Sequence, residues 1–191
     1  MHKLALAVVC ALAAWPSLAN DTNIVAIADT CNSCHGINGV SAGLTMPSIA
    51  GQNKDYLQRV LLEQKKGERY TTIMDRFMKN ISDEEIAALA EYFAAKEWVP
   101  ATVAVEMAQA NRGRQVLRKT CQNCHGEKGD KNTGDIPRLA GQWPGYIKLE
   151  IFKYVDPTFT AKRPSERMAE RACNLTEEDM AAVAHFLGTR K

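Results

Sequence analysis

Long apolar runs are nearly absent from this sequence. The exception lies at the N-terminus, from Leu4 to Ala14, and its 11 residues fall well short of the roughly 20 that a membrane-spanning helix needs. A dominant sign of charge is missing too. With 24 Lys and Arg against 22 Asp and Glu, a formal net of +2, and aromatics at 7%, nothing in the totals suggests a nucleic-acid binder with a broad basic face. Disorder is excluded as well, because 46% of the 191 residues are apolar, an ordinary globular proportion.

The N-terminal run has its own reading. His2 and Lys3 precede it and Ser17-Leu18-Ala19 follows it as a small-x-small cleavage pattern, which together make a secretory signal. We expect residues 1–19 to be a signal peptide cleaved after Ala19, leaving a mature chain from Asn20 that is periplasmic and has no transmembrane segment.

Six cysteines in an exported chain raise the question of a disulfide framework. Their placement answers it. Cys10 leaves with the signal, Cys173 stands alone, and the other four form Cys31-Asn32-Ser33-Cys34-His35 and Cys121-Gln122-Asn123-Cys124-His125. This is the attachment spacing of a c-type haem, twice. Two thiols separated by two residues reach the two vinyl groups of one porphyrin as thioethers, and the adjacent histidine becomes the proximal iron ligand. A redox pair of the thioredoxin type and half of a zinc ribbon are the alternatives. Neither requires histidine directly after the second cysteine. The sequence therefore predicts two covalently bound c-type haems, on Cys31, Cys34, Cys121 and Cys124, with His35 and His125 on the irons.

The motif recurs because the chain repeats. Cys31 and Cys121 lie 90 residues apart, and in the same register Pro47-Ser48-Ile49-Ala50-Gly51-Gln52 matches Pro137-Arg138-Leu139-Ala140-Gly141-Gln142, and Tyr56 matches Tyr146. The offset then becomes 94, so that Ile81-Ser82-Asp83 matches Leu175-Thr176-Glu177 and Tyr92-Phe93 matches Phe186-Leu187. Four extra residues within 156–165 of the second copy account for the change. We expect a first domain over 20–97, a linker over 98–102 marked by Pro100, and a second domain over 103–191.

The coarse structure reads as all-α. Ser82 and Thr176 are N-cap residues followed three positions later by Glu85 and Asp179, and apolar residues then recur at helical spacing. Middle helices are expected over Tyr56–Gln64 and Tyr146–Tyr154, and a helix over Ala108–Lys119 leads into the second attachment site. The repeat also selects a sixth ligand for each iron. Met74 and Met168 each lie eight residues before the capping residue, whereas Met46, Met78 and Met180 align with non-methionine positions and read as packing.

On these residues the sequence resembles the di-haem c-type cytochromes of the cytochrome c4 family, including the cytochrome subunit of flavocytochrome c sulfide dehydrogenase. The likeness extends over the whole mature chain, and Trp98-Val99-Pro100 and Gly141-Gln142-Trp143 lean towards the sulfide-dehydrogenase subunit. The resemblance implies two tandem cytochrome c-type domains, each wrapped round one covalent haem, with His35/Met74 and His125/Met168 as axial pairs. It implies that backbone around Pro47 and Pro137 accepts the other imidazole N–H. It also makes Gln52, Tyr56, Gln142, Trp143 and Tyr146 partners for haem propionates or for the neighbouring domain, with ordinary packing as the alternative.

Histidine plus methionine fills the iron and leaves no position for substrate, so outer-sphere electron transfer is expected rather than catalysis. The charge is uneven: residues 20–100 hold 8 basic and 11 acidic side chains, net −3, and residues 101–191 hold 15 and 11, net +4. Such asymmetry could steer different redox partners to each half. Cys173, five residues beyond Met168, reads as a small buried hydrophobe or as a thiolate near the second iron. His185 aligns with Glu91 and is expected to be exposed. Three functions remain at this level. One is an electron-accepting subunit bound to a flavoprotein that oxidises sulfide. Another is a free carrier feeding a terminal oxidase. The last is a haem enzyme of sulfur oxidation with an open iron near Cys173.

Overall fold

The computed structural model describes residues 19–162 and 165–191. The expected signal segment, Ala19 apart, lies outside the described residues. Nine α-helices carry the described chain, and the only β pairing among these residues is an isolated bridge between Thr133 and Ile136. The all-α expectation holds.

The first half comprises α1 (Ala19–His35), α2 (Lys54–Lys66), α3 (Met74–Met78) and α4 (Asp83–Ala94). Helix α4 begins in a full capping box, with the Ser82 hydroxyl accepting from the Glu85 N–H at 3.1 Å and the Glu85 carboxylate accepting from the Ser82 N–H at 2.8 Å, which satisfies two donors that a helix start leaves unpaired. Its apolar stripe, Leu89, Ala90 and Phe93, packs with Ile24 and Ala28 of α1 and Leu57 of α2 as one core.

The second half repeats the plan with α5 (Met107–Val116), α6 (Gln122–His125), α7 (Pro144–Val155), α8 (Glu166–Ala172) and α9 (Glu177–Gly188). Leu117, Ile147, Val183, Ala184, Phe186 and Leu187 form its core, and a smaller cluster of Tyr154, Ala169 and Ala172 lies under α8. Helix α5 crosses α9 at Gly113, where an added Cβ would stand 2.0 Å from the Ala182 carbonyl oxygen. Only glycine lets the two backbones approach so closely.

The middle helices are longer than the periodicity suggested, because Asn53 caps α2 by accepting from the Asp55 and Tyr56 N–H groups and Pro144 starts α7 in the position where a missing N–H costs nothing. The helix expected over Ala108–Lys119 does not run straight into the attachment site: it passes into a π-helical segment, Leu117–Cys121. The longer second copy forms a 3-10 turn, Pro157–Lys162, and Phe159 from it packs edge-on against Tyr70 of the first half, with ring centroids 4.5 Å apart.

Candidate cofactor sites

Each Cys-x-x-Cys-His run ends a helix. Because α1 continues through His35, Cys31, Cys34 and His35 sit at i, i+3 and i+4 and share one side of its last turn. Gly36, at φ 78°, then turns the chain away. In the second half the π-helical segment delivers Cys121 to α6, which ends at His125 before Gly126 at φ 84°. A π-bulge adds one residue to a turn and often marks a functional site; here it sets the rotation of the attachment motif relative to α5.

The two histidines are buried, each 6% exposed. His35 Nδ1 stands 2.9 Å from the Pro47 carbonyl oxygen and His125 Nδ1 stands 3.4 Å from that of Pro137. A carbonyl can only accept, so the proton resides on Nδ1 and the lone pair is left on Nε2, the tautomer a metal ligand requires. Burial pushes both imidazoles below the ordinary histidine pKa, and the carbonyl contact only partly opposes it.

The thiols are unlike those of a redox pair. Burial raises the Cys31 pKa and, helped by neighbouring Cys124, pushes Cys121 up to about 11. Reactive pairs of the thioredoxin type have depressed thiol pKa values. Among the described residues no group of three or more His, Cys, Asp and Glu side chains is placed to hold a bare metal ion.

Met74 and Met168 occupy matching places. Met74 opens α3 and donates its N–H to the Thr71 hydroxyl at 2.8 Å, and Met168 near the start of α8 donates its own to the Ser165 hydroxyl at 3.3 Å. Both side chains are partly buried, whereas Met78 and Met180 are core residues at 3% and 4% exposure. Each half thus offers two thiols, a neutral imidazole in the ligating tautomer and a thioether on a separate short helix. That donor set suits a covalently attached haem.

Between the halves lies a polar seam that the repeat alone did not reveal. The Gln142 side chain accepts from the Ser48 N–H at 2.9 Å and donates to the Ser48 carbonyl at 2.8 Å. Reciprocally, the Gln52 side chain accepts from the Arg138 N–H at 3.0 Å and donates to the Arg138 carbonyl at 2.7 Å. Trp143 Nε1 donates to the Ser41 carbonyl at 2.9 Å, and Asn132 bridges to Gly51 and Asn53. Gln52, Gln142 and Trp143 therefore face the neighbouring half, as one of the two expectations had it.

Tyr56 and Tyr146 meet beside Arg69. Arg69, 6% exposed, lies 3.3 Å from Glu63 and, across the seam, 3.1 Å from Glu150. Arg59 and Lys153 pair with the same two carboxylates. Burial raises the pKa of all three tyrosines around this cluster, with Tyr154 reaching about 12. Sequence reasoning did not single out Arg69, and a lone arginine in a loop gave no signal.

Two expectations fail. His185 is not exposed: at 8% accessibility it is buried on α9, and its Nε2 accepts the Glu106 N–H at 3.0 Å. The alignment with Glu91 misled because the chain leading into α5 folds over the outer face of α9. Cys173 is not a buried hydrophobe; it is exposed at the end of α8, its thiol directed to the Glu170 carbonyl at 3.2 Å.

The comparisons with known proteins agree with this arrangement. Residues 110–191 match the family model described as cytochrome c, and residues 19–93 match that described as cytochrome c oxidase, cbb3-type, subunit III. Cytochrome c4 of Pseudomonas aeruginosa is 29% identical over 172 residues, covering 84% of this chain and 83% of that protein. The cytochrome subunit of sulfide dehydrogenase from Chlorobaculum tepidum is 41% identical over 64 residues, 34% of this chain and 57% of that one. The crystal structure of reduced recombinant cytochrome c4 from Pseudomonas stutzeri superposes with a TM-score of 0.79 at 22% identity, covering 90% of this chain and 98% of that chain. Two cytochrome c domains with covalently bound haems are thus joined in one all-helical chain that is similar over most of its length to the di-haem cytochromes c4.

Proposed function

We propose that the protein is a periplasmic electron carrier that takes electrons from a flavoprotein sulfide dehydrogenase and passes them to a downstream carrier. Residues 20–97 and 103–191 form its two haem domains, joined by 98–102. Cys31 and Cys34 attach the first haem, with His35 and Met74 on its iron; Cys121 and Cys124 attach the second, with His125 and Met168. The observation that carries this reading is the matched donor set: in both halves a histidine fixed in the ligating tautomer and a methionine at one repeat position.

Bound between such ligands, haem iron exchanges single electrons. The chain's own residues do the rest. Cys31 and Cys34 on α1, and Cys121 at the end of the π-helical segment with Cys124 on α6, would hold the haems; the Pro47 and Pro137 carbonyls orient the His35 and His125 rings, and Met74 and Met168 would complete the ligand sets and exclude substrate. The seam keeps the two halves in register, so an electron can arrive at one and leave from the other.

The choice of sulfide dehydrogenase as donor rests on the 41% identity over 64 residues to the cytochrome subunit of that enzyme. A second reading, a free cytochrome c4-type carrier that donates to a terminal oxidase, is favoured by the greater extent of the cytochrome c4 likeness, 84% of this chain. Co-purification from the native periplasm, followed by stopped-flow reduction with a flavoprotein sulfide dehydrogenase and sulfide, separates the two. A stable complex reduced within its turnover supports the first reading; a monomeric carrier reduced only by quinol-linked enzymes supports the second. Carbon monoxide binding to either reduced haem would refute the double histidine/methionine assignment.

A further inference from the structure

Ser48 and Arg138, the two backbone positions held across the seam, each directly follow the proline whose carbonyl contacts a proximal histidine. The chain of contacts therefore crosses between halves. Gln142 of the second half grips Ser48 by both its N–H and its C=O, Ser48 fixes the peptide that it shares with Pro47, and the Pro47 carbonyl receives the His35 N–H at 2.9 Å. Gln52 of the first half grips Arg138 in the same two-point manner, and Pro137 contacts His125.

The grip is built to be stiff. Ser48 and Gln142 are each 2% exposed and Gln52 is 5% exposed, so water does not compete for these bonds, and losing one leaves a buried backbone group unpaired. The Ser48 hydroxyl also accepts from the Ser41 N–H at 3.1 Å, and Trp143 holds the Ser41 carbonyl, so this loop is pinned from the second half at two points.

We propose that Gln142 and Gln52 are positioning residues for the proximal histidine of the opposite half, so that each domain sets the electronic character of the other domain's iron. This rests on His35 and His125 being the proximal ligands. A carbonyl held firmly against Nδ1–H makes the imidazole a stronger donor to iron and favours the oxidised state. Releasing the carbonyl raises the reduction potential of that haem.

The test uses the intact di-haem protein with Gln142→Leu and Gln52→Leu, and with the milder Gln142→Met, which keeps the side chain's length, adds no charge and loses both hydrogen-bonding ends. Two readings are taken: haem-by-haem potentials from NMR-monitored redox titration, and the Nδ1–H resonances of 15N-histidine in the reduced state. The expected pattern is crossed. Both Gln142 variants raise the potential of the first haem and shift the His35 Nδ1–H resonance while His125 stays put, and Gln52→Leu does the converse. A simple packing role would disturb each variant's own domain, and that uncrossed pattern, or unchanged potentials in folded protein, overturns the proposal. If neither histidine shows the large ring-current shift of a haem ligand in the wild-type protein, the ligand assignment itself fails and the proposal falls with it.

Discussion

Replacing Arg69 by methionine removes the charge that joins the two halves at their most buried ionic contact. The guanidinium group, 7% exposed, spans Glu63 at 3.3 Å and Glu150 at 3.1 Å, while burial disfavours its charge and the neighbouring Glu150 carboxylate favours it. Taking one partner from a buried ion pair costs about 3–5 kcal/mol, because the remaining charge is left unpaired. Here that cost is reduced. Glu63 keeps Arg59 at 2.5 Å, Glu150 keeps Lys153, and the two carboxylates are 16% and 19% exposed, so water and the other cations recover part of it. Methionine also preserves much of the aliphatic packing. We expect a loss of about 2–3 kcal/mol, equivalent to roughly 4–12 °C for a chain of this size. Guanidinium unfolding of the holoprotein, followed by far-ultraviolet circular dichroism and by the Soret band, measures it. Because the contact crosses the seam, the wild type should unfold in one step and Arg69→Met in two, the halves separating first. In a double-mutant cycle, Glu150→Gln should be less damaging in the Arg69→Met background than alone. A stability within about 0.5 kcal/mol of wild type, or an unchanged single transition, would refute the view that Arg69 ties the halves together.

Gly113→Ala should destabilise the second half by about 2 kcal/mol, since the new methyl would meet the Ala182 backbone at 2.0 Å and the gain in helix propensity is smaller than that clash; thermal unfolding reads it, and a stability equal to wild type would mean the helices separate freely. Tyr154, with its pKa raised to about 12 by burial, contributes stability that is complete below the unfolded-state value near 10 and is lost as pH rises through the folded one. Tyr154→Phe should therefore lessen the decline in stability between about pH 10 and 12, checked by denaturant midpoints across that range. Met168→Ala should open the second haem to carbon monoxide and lower its potential while leaving the first unchanged, as judged by optical titration; an unchanged spectrum would show that another group is the ligand.

Much of this architecture was legible because it repeats. The Cys-x-x-Cys-His runs, the Ser82 and Thr176 caps and the Met74/Met168 pair are local features whose physics depends on close sequence neighbours, and the offset between copies placed them together. The seam was legible only in part. Gln52 and Gln142 could be named from the repeat, but each grips backbone more than 80 residues away, and a backbone partner leaves no side-chain signature. His185 was misjudged for a related reason. Its alignment to Glu91 assumed that the outside of α9 matches the outside of α4, yet the second half has a preceding segment, ending at Glu106, that covers it. The π-helical turn at Leu117–Cys121 left no mark on the hydrophobic pattern, because one inserted residue shifts the period too little to be seen.

The paired glutamine grips have an evolutionary and engineering consequence. Equivalent residues on both halves present the same two-point clamp and the same receiving loop, so the seam is an isologous surface of the kind that closes a two-fold dimer, although one chain supplies both sides. The clamp reads only main-chain atoms. Ser48 and Arg138 therefore differ in size and charge while the same clamp holds both, and the outer faces are free to diverge towards different partners while the junction between the two redox centres keeps its shape.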